Sequence, residues 1–177
     1  LMDDGAELDR VLANYDPPQG SPSFIDAVVQ CFNERYGWGL RPGNVAITNG
    51  SQNSFFYLLN MLGGDAPGGH RRVLLPLCPE YIGYADQGIG PDLFTSAPPR
   101  LELIGDHSFK YRIDFDRLPW SDQVAAVCAS RPTNPTGNVL TDEEVTHLSG
   151  QARERGVPWI LDNAYGAPFP DIIFTAA

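Results

Sequence analysis

Positive charge is scarce in this chain. The 12 lysines and arginines face 22 carboxylates, a formal net charge of −10, and Lys110 is the only lysine in 177 residues. A surface of that sign repels phosphate backbones and anionic headgroups, so neither nucleic acid nor a membrane is an expected partner. No apolar run approaches the roughly 18 residues that a membrane helix needs. The opening Leu1-Met2-Asp3-Asp4-Gly5 has neither the basic start nor the apolar core of a signal peptide. Cys31, Cys78 and Cys128 lie far apart with no C-x-x-C between them, which argues against a disulfide framework or a zinc site and fits a reducing cytoplasm. His70, His107 and His147 have no metal-ligand spacing to one another or to the cysteines, so no metal is expected. There is no P-loop and no Gly-x-Ser-x-Gly elbow, and Gly88-Ile89-Gly90 leads to Leu93 where a dinucleotide fingerprint wants its third glycine.

What is present is the makeup of a soluble globular protein of about one domain, with 42% hydrophobic and 19% charged residues. Ser21-Pro22 reads as a helix start, and Phe24, Ile25, Val28, Val29, Phe32 and Tyr36 recur at helical spacing up to Gly37. Val45-Ala46-Ile47 is expected to be a short strand. After the turn at Asn49-Gly50, a helix opening at Ser51 carries Phe55, Leu58, Leu59 and Leu62 on one face and stops at Gly63-Gly64. Val73 to Leu75 and Leu101 to Ile104 read as strands. Val124 to Ser130 is nearly continuous in apolar residues, the mark of a strand buried on both faces of a parallel sheet. Thr141-Asp142-Glu143-Glu144 is a capping box for a helix closed by Gly156, and Trp159-Ile160-Leu161 completes a strand–helix–strand unit of an α/β fold.

The chemistry-bearing residues follow strands, where open α/β sheets bind ligands. Asp162, at the end of the last strand, can keep a pyridine nitrogen protonated, which makes the ring a sink for electrons. Tyr165, three residues on, and Asn134, in the turn after Ser130, can both hydrogen-bond a phenolate oxygen of such a ring. The plainer alternative is a pair of strand-end turns. Gly50-Ser51-Gln52 at a helix start offers free N–H groups and the positive dipole end to a phosphate, or is simply an N-cap. Tyr81 can lay its ring on a heterocycle or sit in the core. Tyr15, in Tyr15-Asp16-Pro17-Pro18-Gln19-Gly20, lies in a rigid turn, either to reach a phosphate or as bare surface. Lys110 reads as a surface residue.

Four stretches together resemble the pyridoxal 5′-phosphate (PLP)-dependent class I/II aminotransferases of fold type I. They are Thr48-Asn49-Gly50-Ser51-Gln52, Pro79-Glu80-Tyr81-Ile82-Gly83-Tyr84-Ala85-Asp86, Ser130 to Val139 with Asn134-Pro135-Thr136-Gly137, and Asp162-Asn163-Ala164-Tyr165-Gly166. The likeness runs from Asn14 to Phe174. It implies the α/β large domain of that fold, a mostly parallel sheet flanked by helices, with residues 1–20 as an N-terminal segment and dimer-contact turn and 21–177 as a partial PLP-binding domain. It also implies roles: Asp162 on the pyridine nitrogen, Asn134 and Tyr165 on the 3′-oxygen, Tyr81 stacked on the ring, Gly50, Ser51 and Gln52 at the phosphate. Tyr15 resembles the tyrosine that reaches the phosphate from a neighbouring subunit, which implies a homodimer. The implied reaction passes an amino group between a small aliphatic amino acid, valine or alanine, and a 2-oxo acid such as pyruvate.

The family's Schiff-base lysine, in a Ser-x-Ser-Lys segment, has no match here, nor does its C-terminal small domain. The expectation is therefore an incomplete chain, with PLP absent or weakly held and no transamination by the chain alone. A PLP β-lyase or cyclase on the same scaffold, or a non-catalytic regulatory or dimerisation module, are the alternatives.

Overall fold

A computed structural model describes residues 5–166. Leu1 to Asp4 and everything from residue 167 on, including the Phe174 end of the family likeness, lie outside the described residues. The chain divides into two compact units, one up to Gly50 and one from Ser51.

The first unit holds α1 (Gly5–Ala13) and α2 (Pro22–Tyr36). α2 has the expected bounds: proline sits in its first turn, and Gly37 takes the left-handed conformation (φ 66°) while its N–H closes on Asn33 O. Ser21 precedes the helix, yet its hydroxyl pairs with Ser23 Oγ at 3.2 Å instead of capping. Phe32, Tyr36 and Trp38 form an aromatic cluster with centroids 5.1 to 5.7 Å apart. Val45 to Ile47 do not form the expected strand. Their hydrogen bonds go elsewhere: Val45 N–H donates to Pro42 O at 3.1 Å, Ile47 N–H donates to Gln19 O at 2.8 Å, and Gln19 Nε2 donates to Val45 O at 2.6 Å. No ladder is left for them to join. Gly20 (φ 118°) permits this approach, since a Cβ there would stand 2.8 Å from Ile47 Cβ.

The second unit is built on a sheet in the order β1 (Gly64–Ala66), β2 (Gly69–Leu75), β6 (Val124–Ser130), β7 (Trp159–Asp162), with β3 (Phe94–Ser96) also on β2. β2 is parallel to β3 and β6, and β6 to β7; only β1 runs antiparallel. Alternation along the strands sorts the core into two layers. Val73, Leu75, Ala126 and Cys128 pack with Phe55 and Leu59 of α3 (Ser51–Leu62). Leu74, Val127 and Ala129 pack with Leu148 and Ala152 of α4 (Asp142–Glu154). A strand covered on both faces has no solvent side, which is why Val124 to Ser130 reads as an unbroken apolar run.

The capping box at α4 forms as expected. Thr141 Oγ1 accepts from Glu144 N–H at 3.2 Å, and Glu144 Oε2 accepts from Thr141 N–H at 2.8 Å. The same carboxylate is buried because Oε1 also takes Ile113 N–H at 3.1 Å. Leu101 to Ile104 do form a strand, β4 (Arg100–Ile104), but in a separate antiparallel hairpin with β5 (Ser108–Arg112). Hairpin pairing supplies the backbone hydrogen bonds locally, so β4 remains exposed along its length.

Candidate active site

Three parallel strands end on the same side of the second unit, and the loops that leave them converge. The last residues of β6 and β7, Ser130 and Asp162, are paired in register. Leu75 ends β2, and the loop after it delivers Tyr81 and a 3₁₀ turn, Ile82–Gln87. Between these loops and the start of α3 lies a cavity of about 130 Å³, close to the volume that accepts one aromatic ring. Six of the eight residues read from the sequence line it: Ser51, Gln52, Tyr81, Asn134, Asp162 and Tyr165. Gly50 and Tyr15 are not among its lining residues. Gly50 closes the first unit with φ 89°, its N–H held by Thr48 O, and Tyr15 in that unit is fully exposed.

Asp162 is held from two directions. Tyr84 Oη donates to Oδ2 at 2.7 Å, and Ala164 N–H donates to Oδ1 at 3.0 Å. Tyr84 is almost wholly buried. Burial pushes its hydroxyl far above the usual phenol range, and the neighbouring Cys128 and Asp162 push the same way, so it remains a donor at all ordinary pH. Its ring stands 4.9 Å from that of Phe55 and is perpendicular to Tyr81 at 5.4 Å. The Tyr81 ring folds back over Gly83, where a Cβ would stand 2.4 Å from it; only glycine leaves that space.

Asn134 reaches the cavity from the apex of a turn that Thr133 closes twice. Gly137 N–H donates to Thr133 O at 2.7 Å, Thr133 N–H donates to Asn138 O at 2.9 Å, and Gly137 takes the left-handed conformation (φ 67°) the turn demands. The Asn134 amide has no partner among the described residues and is exposed.

Sequence reasoning missed Glu80, Tyr84 and Ser130. Glu80 is a half-buried carboxylate whose desolvation raises its pKa from the ordinary 4.5, against the pull of donors from Ser130 and Tyr81. Tyr84 was legible as the second tyrosine of Tyr81-Ile82-Gly83-Tyr84, one 3₁₀ turn on, but its partner is 78 residues away. Lys110 is not the free surface residue expected. It is half-buried beneath the loop that follows the Asn134 turn, its Nζ donating to Val139 O, with Asn138 Oδ1 at 3.4 Å. Burial, then Arg112, lowers its pKa, and it does not line the cavity. Among the described residues no helix is long and apolar enough to cross a membrane, and no group of three potential metal ligands occurs.

The fold matches that of solved fold-type-I aminotransferases, of whose length the chain spans about 40% to 44%. A solved putative amino-acid aminotransferase from Psychrobacter arcticum superposes with a TM-score of 0.84 at 46% identity, covering 94% of this chain and 40% of that one. The sequence is 48% identical, over its whole length, to valine–pyruvate aminotransferase of Escherichia coli, and spans 42% of that relative. The solved valine–pyruvate aminotransferase of Salmonella typhimurium agrees, with a TM-score of 0.79 at 46% identity over 99% of this chain and 44% of that one. A probable kynurenine–oxoglutarate transaminase of Saccharomyces cerevisiae is more distant, 27% identical over 89% of this chain. No protein-family model matches.

Proposed function

We propose that this chain is the PLP-binding portion of an aminotransferase that passes an amino group between a small aliphatic amino acid, valine or alanine, and a 2-oxo acid such as pyruvate. The observation that carries the reading is a ring-sized cavity with a carboxylate at the end of β7, held by Tyr84 at 2.7 Å. The residues fit the cofactor. Asp162 is placed to keep a proton on a pyridine nitrogen; Asn134, whose amide has no partner among the described residues, and Tyr165 supply donors for a phenolate oxygen. Tyr81 offers an aromatic face, and the first turn of α3, at Ser51 and Gln52, offers N–H groups and a dipole to a phosphate. When bound, the cofactor supplies a ring that takes up electrons from the substrate's α-carbon. Tyr84 fixes which way the Asp162 carboxylate faces, and Phe55 closes the apolar side of the cavity.

The similarity to aminotransferases over the whole chain favours amino transfer over β-elimination or a purely regulatory role. Tyr15, wholly exposed, is available to reach a phosphate bound by a second copy, which supports a homodimer. The free cysteines suit a cytoplasmic setting.

Two measurements test the reading. Titration with 4′-deoxypyridoxine 5′-phosphate, which keeps ring and phosphate but has no aldehyde, is expected to give saturable binding that Asp162→Asn weakens about tenfold or more, the loss of one charge-assisted contact. In the full-length polypeptide, labelled valine nitrogen is expected to appear in alanine when PLP and pyruvate are supplied. Release of free ammonia with no labelled alanine would favour the lyase alternative.

A further inference from the structure

Glu80 is a side chain the reaction does not call for, yet it is half-buried and both of its carboxylate oxygens are engaged. Its Oε1 accepts Tyr81 N–H at 2.8 Å and the Ser130 hydroxyl, and its Oε2 accepts Ser130 N–H at 3.0 Å. Tyr81 is the aromatic wall of the cavity, and Ser130 is the buried last residue of β6, in register with Asp162. Arg131 N–H, one residue on, donates to Asp162 O at 2.9 Å. The carboxylate therefore spans the gap between the loop after β2 and the strand end that leads to the Asn134 turn.

We propose that Glu80 is a positioning residue that fixes the Tyr81 ring at a set distance from the β6–β7 strand ends, and so sets the width of the ring slot. The inference rests on the PLP reading of the pocket and deepens it. Three donor hydrogens converge on two oxygens. A carboxylate satisfies all three, whereas a glutamine of nearly the same volume brings one acceptor oxygen and an NH₂ that meets an N–H head-on. The Tyr81 ring cannot compensate by settling elsewhere, because it already rests on Gly83 and against Tyr84. Desolvating a carboxylate costs free energy, and burial does raise the Glu80 pKa. That cost is out of place for a surface loop and intelligible for one whose geometry matters.

The test is a double-mutant cycle on the dissociation constant of 4′-deoxypyridoxine 5′-phosphate, with urea unfolding followed in parallel. Glu80→Gln is expected to weaken binding about tenfold in protein that remains folded, and to change the induced circular dichroism of the bound ring, which reports its stacking on Tyr81. In a Tyr81→Ala background the same substitution is expected to have little further effect, because the wall it positions is gone. An equal loss in both backgrounds would overturn the proposal in favour of a general structural role, and so would unaltered binding by Glu80→Gln. If Glu80→Gln does not fold, Ser130→Ala removes only the hydroxyl contact and is expected to weaken binding about threefold; unchanged binding there overturns the proposal as well. Failure of the parent protein to bind the probe refutes the pocket reading itself, and the positioning role falls with it.

Discussion

Tyr84→Phe isolates the contact on which the pocket's acid depends. The substitution deletes one oxygen and leaves the ring against Phe55 and Tyr81, so packing is nearly conserved. What is lost is a 2.7 Å hydrogen bond to Asp162 Oδ2. Hydrogen bonds to charged groups contribute about 1.5–3 kcal/mol. Asp162 is only partly buried and retains the Ala164 N–H, so water replaces part of the interaction and the expected loss is about 1–2 kcal/mol. With a urea m-value of about 2 kcal/mol/M, the unfolding midpoint drops by about 0.5–1 M with no change in slope. The freed carboxylate can also rotate, so binding of 4′-deoxypyridoxine 5′-phosphate weakens about threefold to tenfold. A Phe variant that unfolds at the parent's midpoint and binds the probe equally well would refute the claim that this hydroxyl orients Asp162.

Two further outcomes follow from the geometry. Thr141→Ala removes the side-chain half of the α4 capping box and is expected to cost about 1 kcal/mol by urea unfolding; a loss confined to noise would mean that the tie between Glu144 and Ile113 holds the helix start alone. His70 bonds Asp65 Oδ1 at 2.8 Å and Asp92 O at 3.0 Å, first the carboxylate and then the carbonyl raising its pKa above 6.5. A raised histidine stabilises the fold below its unfolded pKa and loses that contribution as pH rises through the folded value. The stability difference between the parent and His70→Gln should therefore be larger at about pH 6 than at about pH 8; a difference that does not change with pH would exclude the pairing with Asp65.

The local half of this architecture was legible in the residues. α2 keeps its Pro22 start and Gly37 stop, α4 its Thr141–Glu144 box, β6 its bounds and β7 its Trp159 start, because helical period, caps and apolar runs act over a few residues and need no partner from elsewhere. The positions of Asn134 just past the end of β6 and of Asp162 at the end of β7 were legible for the same reason. Val45 to Ile47 misled because three apolar residues suffice for a strand pattern, while the hydrogen-bond partner of Ile47, Gln19, lies 28 residues away along the chain. Lys110 misled because charge alone says exposure, whereas its stem and ammonium are covered by the loop carrying Asn138 and Val139.

The sequence by itself determined helices α2, α3 and α4, strands β6 and β7, and the polar residues that stand at their ends. Only the tertiary structure decided what those residues meet. Tyr84 finds Asp162 across 78 residues, and Glu80 finds Ser130 across 50, because parallel pairing of β2, β6 and β7 brings three strand ends to one side. Contacts of that range are set by sheet order and register, which no local pattern in the chain specifies.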